Sequence, residues 1–130
     1  MNRRTFLSLV AATVVFLAAT SISAHHGNTN YDMSKTIVLA GTVTDFEWGN
    51  PHCLAHVDVA DDVGAIRHWT LEMNSTVAMS RRGWNKDMLK RGDRVTVETH
   101  PARNGVPMGI TSGPGFALKV AVNGKELPGL

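Results

Sequence analysis

Residues 52–73, HCLAHVDVADDVGAIRHWTLEM, decide the fold. From His52 to Val59 the residue types alternate. His52, Leu54, His56 and Asp58 fall on one side of an extended chain, and Cys53, Ala55, Val57 and Val59 on the other. A period of two marks a half-buried strand, and the more apolar Cys53 side is the one to line a core. A second strand runs from Ala65 to Met73, with Trp69 and Leu71 as its core residues and His68, Thr70 and Glu72 opposite. Asp61-Asp62-Val63-Gly64 joins the two, and Gly64 is free to take positive φ. If Asp62-Val63-Gly64 is the loop, Ala65 pairs with Asp61. His68 then faces Asp58, and His56 faces Thr70. The two histidines become diagonal neighbours about 7–8 Å apart at Cα. That leaves two readings: a metal shared between converging rings, or a solvent-facing polar sheet with an Asp58–His68 pair.

Outward from this hairpin, Thr36–Trp48 is rich in β-branched and aromatic residues and reads as a long strand. Gly41 offers it a bend or bulge. Gly49-Asn50-Pro51 ends it. On the other side, Asn74 or Ser75 caps a short helix through about Arg82. Val77, Ala78 and Met79 offer its apolar side, Gly83 stops it, and Trp84 packs beneath. Lys90-Arg91-Gly92-Asp93 turns into a fourth strand, Arg94–His100. The segment 101–115 carries Gly105, Gly109, Gly113 and Gly115 with Pro101, Pro107 and Pro114, and reads as a long loop. Phe116–Val122 is the last strand, Asn123-Gly124 a turn, and the end frays. The order β-β-β-α-β-β is that of an OB-fold, an all-β chain with one short helix closed into a small five-stranded barrel. A plain β-sandwich is the rival. In an OB-fold the working surface is flanked by the first and fourth inter-strand loops, here Asn50-Pro51-His52 and the segment after His100-Pro101.

Residues 1–24 read as a signal peptide, with Arg3 and Arg4, an apolar run from Phe6 to Ala19, and small residues before Ala24. The run falls short of the ~20 residues of a spanning helix, so cleavage and a chain without a stable membrane span are expected. Arg3-Arg4-Thr5-Phe6-Leu7 also looks like a twin-arginine signal, and the expected destination is the periplasm or another exported site. A polar lead, 25–35, precedes the barrel domain at 36–130.

Cleavage changes the charge. Of 13 Lys+Arg, two leave with the signal and 11 remain against 11 Asp+Glu, so a formal +2 becomes zero. Nucleic-acid binding loses its electrostatic support and is not expected. Cys53 is the one cysteine. It forms no intrachain disulfide, and its apolar neighbours make a buried, inert thiol the default. Trp48, Trp69 and Trp84 are read as core rather than as a stacking platform.

Ala24-His25-His26-Gly27 is the chemical lead. A cut after Ala24 gives a terminal histidine whose free amine and imidazole form a two-nitrogen chelate. A cut after Ser23 puts histidine third, which also suits copper or nickel. His52 follows Pro51, which fixes the backbone before it. His52 either bonds a carbonyl in a structural corner or points into the barrel mouth. His100 ends the fourth strand beside Pro101, near the same mouth. Metal ligands are therefore expected among His25, His26, His52 and His100, with copper first and zinc the lesser choice. Met108 in the long loop is a weaker candidate for Cu(I). The isolated acids form no clear dyad, and no catalytic residue is assigned. A redox enzyme built on histidine-bound copper is the weakest of the readings.

His25-His26, Gly41-Thr42-Val43, Trp48-Gly49-Asn50-Pro51-His52, Arg82-Gly83-Trp84, Gly92-Asp93-Arg94-Val95-Thr96-Val97 and His100-Pro101 cover most of the mature chain. In these elements the chain resembles a family of small exported bacterial proteins classed as a domain of unknown function. Cys53 stands where that family more usually has a small or apolar residue. The resemblance implies export and a small β fold, and no activity. The expectation is a non-catalytic exported module that binds a transition metal through His25. The alternative is an accessory protein that binds an exported partner with the barrel face and the 101–115 loop.

Overall fold

The computed structural model describes residues 28–112 and 119–129. Residues 1–24, read above as a signal peptide, and His25 and His26 lie outside these residues. Among the described residues there are seven strands and one helix: β1 Ile37–Glu47, β2 Leu54–Ala60, β3 Ile66–Glu72, α1 Thr76–Arg81, β4 Arg94–Pro101, β5 Met108–Ile110, β6 Val120–Val122 and β7 Lys125–Glu126. Neighbouring strands follow the order β1-β2-β3-β5-β4, and β1 pairs back with β4. Five strands therefore close an OB-like barrel, as the element order predicted.

The hairpin register is the expected one. Asp58 opposes His68, His56 opposes Thr70, and Leu54 opposes Glu72. Asp61 organises the turn: its carboxylate accepts from the Val63 and Ala65 amides, and Gly64 sits at φ 83°. Strand β1 is shared. Ile37–Thr42 pairs with β4, and Thr42–Glu47 with β2. The bulge falls between Val43 and Asp45 rather than at Gly41. It moves the inward side from Val43 to Phe46, out of the two-residue period. Gly41 is needed for another reason: a Cβ there would run into the Asp58 carbonyl and lie 2.7 Å from Val57 Cγ1.

Cys53, Ala55, Val57, Leu71, Met73, Val95, Val97 and Val120 line the core, joined by Met79 of α1 and by Trp84 and Leu89 after it. Trp48 and Trp69 pack against that cluster half-buried, and Phe46 meets Trp48 edge-on. Burial raises the Cys53 thiol pKa, and its Sγ faces the Gly49 carbonyl at 3.6 Å. Ser75 caps α1 by accepting from the Ala78 amide. Met79 is the helix's buried residue and Val77 is exposed, so the apolar side lies one residue further on than the sequence suggested.

Two expectations at the carboxyl end are corrected. The 101–115 segment is not all loop: Met108–Ile110 is the strand that joins β3, in parallel, to β4. Gly109 made the segment look like a loop. Its actual role is close packing, because an added Cβ would collide with the buried Thr99 side chain. The predicted last strand is present as Val120–Val122, pairing with Val95–Val97 on the same edge of β4 that β5 occupies further along. Residues 113–118 lie outside the described ones. Nor does the chain fray after Asn123-Gly124. β7 pairs with β6, the Leu127 amide donates to the Val120 carbonyl, and the Trp84 indole donates to the Pro128 carbonyl at 2.9 Å.

Candidate functional site

The polar lead is built into the fold. Asn28–Tyr31 forms a turn, Tyr31 bridges Ala102, the Asp32 amide donates to the Pro101 carbonyl, and the Arg103 amide donates to the Asn30 carbonyl. The lead thus crosses the outer surface of the barrel where β4 and β5 meet. His100 lies beneath it. Its position opposite Ile110, itself opposite Glu72, puts all three on the outward side of their strands. The ring is nevertheless fully buried, and Nδ1 donates to the Lys35 carbonyl at 2.8 Å. His100 pins the lead and does not open to the mouth expected for it.

Tyr31 is the residue that the sequence reading missed. It is 4 % exposed, and its hydroxyl donates to Glu72 Oε2 at 2.8 Å. Burial first, then the Glu72 hydrogen bond and charge, hold the phenol above the ordinary tyrosine range. The one available signal was a lone aromatic in an otherwise polar lead.

Glu72 Oε1, the other carboxylate oxygen, lies 3.3 Å from His52 Nε2. The Glu72 side chain is 19 % exposed and that of His52 45 %. His52 Nδ1 donates to the Met73 carbonyl at 3.1 Å, which is the structural corner foreseen for Asn50-Pro51-His52. Asn50 does not bond back to its own turn. Its carboxamide oxygen accepts from the Thr76 amide and hydroxyl, tying the corner to the start of α1. The Asn50-Pro51 peptide is cis.

These bonds fix the ring's chemistry. A carbonyl only accepts, so Nδ1 carries a hydrogen. In the neutral ring Nε2 is then an acceptor facing a carboxylate, two lone pairs together. A proton or a cation between them removes the conflict. A cation about 2.0–2.2 Å from each atom at a tetrahedral angle would set them about 3.4 Å apart, close to the observed 3.3 Å. Metal-bound histidines characteristically donate their other nitrogen to a carbonyl or carboxylate, as His52 does here.

The other sheet histidines do not join this group. His56 Nε2 lies 2.7 Å from Glu47 Oε1, and its Nδ1 meets the Thr70 hydroxyl. His68 is 81 % exposed and pairs with Asp58. Of the two readings of His56 and His68, the polar sheet with separate partners is the one found. Among the described residues no three His, Cys, Asp or Glu side chains are grouped to hold a metal ion. His52 and His100 are thus not brought together as a ligand set, and any centre at His52–Glu72 needs a donor from elsewhere.

A groove of about 380 Å³ opens between the lead and the chain leading into β5, bordered by Thr29, Asn30, Tyr31, Arg103, Val106 and Met108.

The sequence from residue 12 to residue 111 matches a family of unknown function, DUF6152. The chain belongs to DUF6152. The DUF6152 match takes in His25, His26, Tyr31, His52, Glu72, His100 and Met108. No curated protein matches the chain. Among solved structures it is similar to Rim1, a mitochondrial single-stranded DNA binding protein from S. cerevisiae, at 10% identity and a TM-score of 0.48, over 72% of this chain and 97% of that one. No helix among the described residues is long and apolar enough to cross a membrane.

Proposed function

We propose that this DUF6152 protein is an exported, non-catalytic module that holds a transition-metal ion, copper first, between its amino-terminal histidines and the His52–Glu72 pair. The observation that carries the reading is the His52 Nε2–Glu72 Oε1 approach, with each group fixed from behind by Met73 and Tyr31. Such a pair offers two donors already in place. The lead supplies the rest. His26 precedes Tyr31 by five residues, at most about 17 Å of extended chain, and the Tyr31 hydroxyl already rests on Glu72. Terminal amine, terminal imidazole, His52 and Glu72 would make a nitrogen-rich set of four. For such donors Cu(II) binds most tightly among the first-row divalent ions. His100 serves by holding the lead. A polyanion suits this surface poorly, since Asp45, Glu47, Asp58 and Glu72 lie on or beside it.

Titration of the mature protein with Cu(II) tests the reading. Sub-micromolar binding is expected, weakened at least tenfold in His52→Ala and in His25→Ala. Unchanged affinity in His52→Ala refutes it. The second reading, docking of an exported partner on the barrel face and the 101–115 loop, is favoured by the structural partners found for His56, His68 and His100. Weak copper binding indifferent to both substitutions is its signature.

A further inference from the structure

The groove beside Tyr31 joins a cation to an apolar wall. Arg103 lines it, and its lining residues include no carboxylate and no histidine. Arg103 is exposed. The ion pairs among the described residues are all histidine–carboxylate pairs, so no carboxylate there is bound to the guanidinium. Asp32 shares its field but gives its carboxylate to the Ser34 amide and hydroxyl. The Asn104 oxygen accepts from the Val106 amide, which leaves the carboxamide NH2, a donor only, as the end available to a ligand. A guanidinium beside a carboxamide donor calls for an anion. The wall is apolar. Val106 and Met108 are both partly open to solvent, and the Tyr31 hydroxyl is spent on Glu72, so tyrosine offers the groove its ring. Methionine suits such a wall because its unbranched side chain adapts to the shape laid against it.

Size and backbone narrow the occupant. The groove's volume of about 380 Å³ is near the lower end of the roughly 300–1,000 Å³ of small-molecule pockets. Its backbone is closed to a chain end. The amides of Ala102, Arg103, Gly105, Val106 and Met108 all donate within the protein, whereas capture of a terminal carboxylate uses a nest of unpaired amides. A guanidinium matches a carboxylate in shape and charge, two parallel N–H···O bonds to one negative unit. We propose that this groove binds a small free monocarboxylate with a short apolar body, its carboxylate on Arg103 and Asn104 and its body against Val106, Met108 and the Tyr31 ring. The site is separate from the metal reading above, since neither His52 nor Glu72 lines it.

Calorimetric titration of the chain from residue 25 onward with hexanoate, in a buffer free of carboxylates, tests the proposal. Saturable binding is expected. It should be about tenfold weaker for hexanamide, which keeps the body and loses the charge, and about tenfold weaker in Arg103→Gln, the scale of a lost charge-assisted hydrogen bond. Arg103 is exposed, so Arg103→Gln retains the fold, and an unchanged melting temperature checks that. Lys86→Gln removes the same charge from another exposed position and should leave hexanoate affinity as it was. Hexanoate should also shift the Met108 methyl resonance. Equal affinity for hexanoate and hexanamide overturns the proposal, as does Arg103→Gln binding like the parent, equal losses in Arg103→Gln and Lys86→Gln, an unmoved Met108 methyl, or no saturable binding. Tighter binding of a tripeptide ending in a free leucine carboxylate than of hexanoate overturns it too, by making a chain end the occupant.

Discussion

Gly109→Ala separates a strand from a loop by the sign of its effect. Were 101–115 an open loop, adding a methyl group would remove freedom from the unfolded chain and leave stability unchanged or raised by about 0.4–1 kcal/mol. In the barrel the new Cβ meets Thr99, with Cγ2 at 2.9 Å and Cβ at 3.1 Å. Ordinary carbon contacts lie near 3.5–4.0 Å. Thr99 has nowhere to go: it is fully buried, and its hydroxyl donates to the Ile110 carbonyl at 3.0 Å. Overpacking costs about 1–3 kcal/mol, and disturbing a buried hydrogen bond adds about 1 kcal/mol. A loss of about 2–4 kcal/mol is expected, a drop in Tm on the order of 10–25 °C for a domain of this size. Gly49→Ala is the control, since no atom lies within 4 Å of a Cβ there. Urea and thermal melts of the chain from residue 25 onward read both variants. Thr99→Ala/Gly109→Ala should fall short of the sum of the single effects, because the Thr99 Oγ1 and Cγ2 contacts are gone. A Gly109→Ala protein melting at or above the parent temperature refutes β5 as a barrel strand.

Tyr31 is the chain's one tyrosine, so tyrosinate absorbance reports on it without ambiguity. The native protein should ionise this phenol well above the usual value of 10.0, burial being the main cause and Glu72 the second. Because the folded pKa is the raised one, stability is full below about pH 10 and falls as pH rises beyond it, the unfolded chain losing its proton first. Tyr31→Phe should remove that alkaline slope, and ionisation of the native protein at the ordinary value would contradict the buried Tyr31–Glu72 bond. Cys53 should resist thiol reagents in the native state and react on unfolding, since burial both covers it and raises its pKa. Prompt native labelling would place it outside the core.

Local pattern carried the reading as far as the second helical boundary. The alternation of Cys53, Ala55 and Val57 against His52, Leu54 and His56 is a property of the strand itself. So is the hairpin register, which Gly64 and the Asp61 carboxylate fix within a few residues. Ser75 and Gly83 bound the helix by the same short-range chemistry. The errors begin where a residue's role depends on a distant neighbour. Gly109 looks like loop glycine until Thr99, ten residues earlier, fills the space beside it. His100 looks available for a metal until Lys35 and the lead close over it.

The candidate site divides in the same way. His52 was visible through Pro51 and the turn before it. Its tautomer, however, depends on Met73, and its partner Glu72 is oriented by a tyrosine 41 positions away. By itself the sequence determined the strand faces, the turns and the OB order, because periodicity and turn chemistry act over a few residues. The tertiary structure alone decided which histidine faces Glu72, which is buried, and where the lead is anchored. Those outcomes depend on hydrogen bonds and close contacts between segments that only the closed barrel brings together.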